Sequence, residues 1–121
     1  MSNDVAWIVE LAVKDGQKDA ANAMIDELVA ATKADEPDVL NYEWHVSASG
    51  NEALIYERYK SAAAAQLHLD NFGARADRFS EIFDFTNVII LSDLPADMRE
   101  ALDGLSPKYR LPRNGFVNAH G

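Results

Sequence analysis

The stretch Val39-Leu40-Asn41-Tyr42-Glu43-Trp44-His45-Val46-Ser47, the tetrapeptide Ala48-Ser49-Gly50-Asn51, and the stretch Glu52-Ala53-Leu54-Ile55-Tyr56-Glu57-Arg58-Tyr59 together decide the fold. Two runs rich in β-branched and aromatic residues flank a cluster of small turn formers, the pattern of a β-hairpin. Upstream, Ala21, Met24, Ile25, Leu28, Val29 and Thr32 recur at helical spacing, with Asp19, Asn22, Asp26 and Lys33 on the other side, until Pro37 closes the run. Downstream, Ser61 stands as N-cap of an Ala-rich helix from Ala62 to about Asn71. Gly73 interrupts that helix, and Ala76, Phe79 and Phe83 continue its apolar stripe. Outside both helices lie two more strands, Val5–Val13 and Phe85–Leu91, and Pro95 opens a short helix to about Leu102. The order is β-α-β-β-α-β, an α+β fold of the ferredoxin-like sandwich type with an antiparallel sheet. Residues 1–103 form that domain, and residues 104–121 form a C-terminal tail packing on the domain or on a partner subunit.

At 121 residues and 48% hydrophobic content, the chain is one domain with a real core. A net charge of −9 makes nucleic acid and anionic membranes poor partners. The absence of cysteine excludes disulfides, thiolate metal sites and a Cys nucleophile. There is no basic segment leading into an apolar run at the start, and no apolar stretch long enough to span a bilayer, so a soluble cytoplasmic protein is expected. The last 18 residues hold three basic residues and no acid, which favours docking of the tail onto an acidic body. The first strand is apolar on both faces, with Val5, Trp7, Val9, Leu11 and Val13 on one and Ala6, Ile8 and Ala12 on the other. Helices cover one face only, so the second calls for another subunit, and a homodimer is expected.

No phosphate-cradling glycine loop, zinc-type histidine pair or nucleophile elbow is present, so an enzyme here would work without metal, nucleotide or covalent nucleophile. His68 falls on the apolar stripe Ala65-His68-Leu69-Phe72 and so faces the sheet. It is either a satisfied buried histidine or a general acid/base facing a cavity. A hairpin turn around Ser49-Gly50 pairs residues whose numbers sum to roughly 100. That register puts Asn41, Glu43, His45, Ile55, Glu57 and Tyr59 on one face, and Tyr42, Trp44, Val46, Leu54, Tyr56 and Arg58 on the other. The first set is either a polar pocket, with Glu57 orienting His68, or a face turned to solvent or to a partner. The second is either an aromatic wall for a flat substrate or ordinary core. His120, beside the C-terminus, is expected to be disordered.

Glu36-Pro37-Asp38-Val39-Leu40-Asn41-Tyr42-Glu43-Trp44, then Tyr56-Glu57-Arg58-Tyr59-Lys60-Ser61, then Ala65 and His68, resembles the antibiotic biosynthesis monooxygenase family over roughly residues 5–92. Asp38 stands where that family usually has glycine. The resemblance implies a dimeric α/β barrel of two ferredoxin-like subunits. It also implies oxidation of small phenols, quinols or polycyclic aromatics by O2 with no cofactor. A related branch degrades haem through an axial histidine, but Gly73-Ala74-Arg75-Ala76-Asp77-Arg78 holds none, so the resemblance does not extend to haem. On this reading His68 is the base and Glu57 orients it, while Trp44, Tyr59, Asn71 and Phe72 bind the substrate. Two other readings use the same scaffold: a non-oxidative isomerase or cyclase, and a non-catalytic ligand-binding stress-response dimer. Oxygen incorporation separates the first reading from these two.

Overall fold

In the computed structural model, which describes residues 4–118, nine regular elements follow one another. They are β1 (Val5–Val13), α1 (Lys18–Asp35), β2 (Val39–Val46), β3 (Glu52–Tyr59), α2 (Ala62–Phe72), α3 (Ala76–Ile82), β4 (Phe83–Ile90), α4 (Ala96–Leu102) and β5 (Lys108–Tyr109). The sheet order is β2-β3-β1-β4-β5, with β1 antiparallel to both β3 and β4. This is the ferredoxin-like α+β sandwich that the β-α-β-β-α-β pattern calls for, and its second helical segment is split in two. His120 lies outside the described residues. No described helix is long and apolar enough to cross a membrane.

Period-two alternation in β1 buries Val5, Trp7, Val9 and Leu11 under the helices. Helix α1 lays Ala21, Met24, Leu28 and Thr32 on the same side. The Ser61 hydroxyl accepts from Ala64 N–H at 3.2 Å and so starts α2. Gly73–Arg75 tightens into a 3₁₀ turn before α3. Asp38, in the family's glycine position, keeps an ordinary negative φ, since Ser106 alone among the described non-glycine residues has a positive one.

Three readings of the sequence need correction. First, Ser47 N–H donates to Glu52 C=O at 2.9 Å, closing a four-residue loop, and Gly50 adopts φ +78° within it. The hairpin axis therefore falls between Ser49 and Gly50, and the pairs are Asn41↔Arg58, Tyr42↔Glu57, Trp44↔Ile55 and Val46↔Ala53. This is one residue away from the expected register, and one residue exchanges faces. Tyr42 and Trp44 thus share the helix-facing side with Ile55, Glu57 and Tyr59, and Asn41, Glu43 and His45 lie on the outer face. Second, Phe83 does not continue a helical stripe. It opens β4 opposite Val13, two residues before the expected start. Third, the start of the tail is not a simple overlay but joins the sheet. Lys108 and Tyr109 pair with Ile89 and Ile90 as a parallel strand, and Arg99 sits 5.4 Å over the Tyr109 ring.

Irregularity in β4 shapes the space beneath the sheet. Phe85 faces Leu11 across the ladder and Asn87 faces Glu10, so Thr86 is an extra residue, a β-bulge. Phe85 and Val88, three apart in sequence, consequently both reach the interior side. Leu11, 1% exposed, lies at this centre. Leu11→Ala is expected to lower the unfolding free energy by about 2–5 kcal/mol, the usual cost of a buried Leu truncation. Asp84→Ala removes only an exposed 3.7 Å pair with Lys14 and is expected to change it by less than about 1 kcal/mol. Urea unfolding of the two variants compares them directly.

Candidate active site

Helix α2 starts at the Ser61 cap, so residues three and four apart, Ala65, His68, Leu69 and Phe72, descend one face onto the sheet. His68 meets the inward side chains of β2 and β3 there. Its ring lies 5.1 Å from that of Tyr42, edge to face, and 5.5 Å from that of Tyr59. Both ring nitrogens face carboxylates. Nδ1 lies 2.9 Å from Glu36 Oε1, and Nε2 lies 3.3 Å from Glu57 Oε1. The three side chains are 8%, 5% and 6% exposed, so bulk water screens none of them.

A buried carboxylate is tolerated when it is paired and hydrogen-bonded. Each of these has further support. The Tyr59 hydroxyl donates to Glu57 Oε1, and Asn71 Nδ2 donates to Glu36 Oε2 at 3.3 Å. Glu57 Oε2 has no partner among the described residues. Burial alone would push the imidazole pKa of His68 down. The hydrogen bond to Glu57 and the charges of Glu57 and Glu36 outweigh that effect, and the net direction is up. A carboxylate can accept from each ring nitrogen, and the raised imidazole pKa favours the form of His68 that has a proton on both. Burial, with the Glu57 charge behind it, holds the hydroxyls of Tyr42 and Tyr59 well above the ordinary phenol range and so uncharged.

Beside this cluster is a cavity of about 320 Å³ between the sheet and α2, α3 and α4. Its polar side chains gather on the β2–β3 side as Tyr42, Glu57 and His68. Elsewhere it is walled by apolar and aromatic groups, including Phe72, Phe79, Phe85 and Val88, with Ala101, Leu102 and Leu105 from α4 and the turn after it. Such a cavity accepts a flat apolar ligand with one polar edge.

Of the residues singled out in the sequence, His68, Glu57 and Phe72 line this cavity. Tyr59 does not. It is 0% exposed, and its hydroxyl is spent on Glu57 rather than on a ligand. Asn71 lies behind His68, in a crevice shared with Glu36 and Arg75. Trp44 stands one layer back, its ring 5.5 Å from Phe83 and 6.3 Å from Phe79. Its indole N–H is buried near Tyr42, close enough to favour the phenolate slightly but short of hydrogen-bond geometry, so it has no partner. His68, read as the base, faces a carboxylate from each of its ring nitrogens. Sequence reasoning missed Glu36 and misplaced Tyr42. The one signal for Glu36 was its position at the head of the Glu36-Pro37 motif. Among the described residues no cluster of His, Asp and Glu is arranged to hold a metal ion.

Comparison with known proteins matches this chain to one family. The profile of the antibiotic biosynthesis monooxygenase family matches residues 5–80, a span holding Glu36, Tyr42, Glu57 and His68. Rv0793 of Mycobacterium tuberculosis, named as a candidate monooxygenase, is 31% identical over 68 residues. The alignment spans 56% of this chain and 66% of Rv0793, just under two thirds of that relative's length. The solved structure of Rv0793 superposes with a TM-score of 0.64, at 25% identity, over 76% of this chain and 96% of that one. MupZ from Pseudomonas fluorescens superposes with a TM-score of 0.83 over 97% of this chain and 96% of its own, at 16% identity, a likeness of fold alone. PA3566 from Pseudomonas aeruginosa gives a TM-score of 0.65 at 22% identity, covering 78% and 98% of the two chains.

A group whose pKa is raised in the folded state stabilises the fold fully below its unfolded value and ceases to do so above its folded one. The His68 contribution is therefore present below about pH 6.5, the ordinary imidazole value, and is lost as the pH rises through the folded value. Urea unfolding at pH steps from 6 to 9 is expected to show a fall in stability over that window. The same fall is expected to be missing from His68→Gln.

Proposed function

The chain belongs to the antibiotic biosynthesis monooxygenase family, and from that premise we propose that it is a cofactor-independent monooxygenase that oxidises a small phenolic or quinol-type aromatic with O2. The observation that carries the reading is the cavity itself, apolar on every side except where Glu57, His68 and Tyr42 meet it. O2 is a triplet and reacts slowly with closed-shell molecules. An electron-rich anion overcomes this by passing one electron to O2 and recombining with the superoxide so formed. The protein must take a proton, hold the anion and exclude water.

Glu57 lines the cavity, and its Oε2, without a partner among the described residues, accepts the substrate's hydroxyl proton. The His68 imidazolium lies beside the anion and offsets its charge. One electron passes to O2, the radical pair joins through a new C–O bond, and a carbon-bound peroxide results. Loss of the remaining proton from that carbon breaks the O–O bond and forms a carbonyl. The departing hydroxide leaves as water. One oxygen atom ends in the product and the other, with the two hydrogens removed from the substrate, in water, so no external reductant is consumed. Phe72 and Phe79 press on the ring from the helix side. Tyr42, held un-ionised, donates to an oxygen at the polar edge.

The functional unit in this proposal is a homodimer. Ala6, Ile8, Ala12, Leu54, Tyr56 and Ile89 form a half-buried apolar face on the side of the sheet away from the helices, and a second copy is the natural cover for it. Light scattering on the eluting protein is expected to give twice the 13.4 kDa chain mass. Ile8→Asp, in the middle of that face, is expected to shift the protein to monomer.

Metal-free protein incubated with reduced quinols and hydroxynaphthalenes under ¹⁸O₂ is expected to consume oxygen above the autoxidation blank and to place one ¹⁸O in the product. Glu57→Gln is expected to lower the rate by about 10²–10⁴-fold, the usual contribution of a positioned base. Turnover without ¹⁸O in the product would indicate isomerase chemistry. Ligand binding without turnover would indicate a carrier.

A further inference from the structure

The two carboxylates on His68 are not equivalent. Glu57 lines the cavity and keeps Oε2 uncommitted. Glu36 is absent from the cavity wall, and both its oxygens are engaged, Oε1 by His68 Nδ1 and Oε2 by Asn71 Nδ2. It sits just past the end of α1, where its backbone N–H closes the helix on Thr32 C=O at 3.0 Å. It lines two crevices behind the site. One is of about 20 Å³, shared with Asp35, Asn71 and Arg75, and the other is of about 330 Å³, shared with Lys33, Pro37 and Tyr42. A substrate in the cavity cannot touch it.

We propose that Glu36 is a positioning residue that makes His68 the acid of the site: by holding Nδ1–H from behind, it fixes the ring and keeps it cationic, so that Nε2–H faces Glu57 and the cavity as a donor. The consequence for chemistry rests on the monooxygenase reading. Glu57 is then the only member of the triad free to take the substrate's proton, and His68 supplies one to the departing oxygen. The charge state of His68 does not rest on that reading.

The groups facing His68 from each packed element are few. They are Glu36 after α1, Tyr42 from β2, Glu57 and Tyr59 from β3, and Asn71 and Arg75 from the end of α2 and the turn that follows. Arg75 is drawn to Glu27 at 2.7 Å. Among the described residues His68 is the sole ion-pair partner of either carboxylate. Without Glu36, burial and a single carboxylate compete for the ring, and its proton affinity falls.

The test is a ring-¹⁵N titration of the histidines in the full chain, with exposed His45 as internal control. Wild-type His68 is expected to titrate above the ordinary imidazole value, and Glu36→Gln to lower its midpoint by about one unit or more, leaving His45 unmoved. Glu36→Asp keeps the charge and is expected to recover part of the shift. In turnover, Glu36→Gln is expected to bring the alkaline limb of the pH–kcat profile down by the same interval with KM unchanged, whereas a merely structural role would lower activity evenly across pH. A His68 midpoint that is the same in Glu36→Gln as in wild type overturns the proposal. If Glu36→Gln fails to fold, the wild-type midpoint decides, and a value at or below the ordinary one overturns it. Absence of turnover with every substrate counts against the monooxygenase reading and leaves the titration result standing.

Discussion

Two buried carboxylates require a shared partner, and one imidazole faces both, with a ring nitrogen to each. The rest of the site is arranged around that requirement. Glu36 arrives from the end of α1, Glu57 from the middle of β3 and His68 from the inner face of α2, so three segments distant in sequence must meet within hydrogen-bond distance. Tyr59 and Asn71 then saturate part of what the carboxylates still demand. A ferredoxin-like sandwich suits this task because α1 and α2 lie on the same face of the sheet. The C-terminus of one helix can then face the side of the other. Breaking any one pair leaves a charge in an apolar interior, where it costs more than an exposed pair ever contributes.

The order β-α-β-β-α-β was legible from periodicity and residue composition. The bounds of β1 and β3, the Ser61 cap, the interruption at Gly73 and the inward face of His68 all follow from local spacing and capping chemistry, which neighbouring segments seldom overrule. The hairpin register was not legible to better than one residue, because alternation with period two looks the same after a shift of strand and partner. That single residue decides whether Tyr42 belongs with Glu57 or with the outer face. Glu36 was harder still. A residue in the link between a helix and a strand belongs to no periodic pattern, and only packing reveals where its side chain goes. The two-residue β5 is shorter than any propensity signal, and what forms it is main-chain pairing to Ile89 and Ile90.

Tyr59 illustrates a further limit of residue-type reasoning. An aromatic with a hydroxyl on the right face of the right strand fits a substrate contact as well as an internal support, and the sequence does not distinguish them. In the folded chain it is sealed behind Trp7, with ring centres 5.0 Å apart, and its hydroxyl serves Glu57. Its hydroxyl is an internal support, held on Oε1 of a glutamate that lines the cavity.

The family match ends at residue 80, before β4 and α4 begin. The site is divided at nearly the same place. Its acid–base end, Glu36, Tyr42, Glu57 and His68, lies wholly within the matched span. The facing wall of Phe85, Val88, Ala101, Leu102 and Leu105 lies wholly beyond it. The bulge at Thr86 and the short α4 set the depth and shape of that wall without touching the charged triad. The charged cluster thus lies inside the matched span, whereas the apolar wall is shared between that span, through Phe72 and Phe79, and the segments beyond it. The tail bears on the same wall, since β5 holds the far edge of β4 and hence the strand that carries Val88 and Ile90 into the cavity.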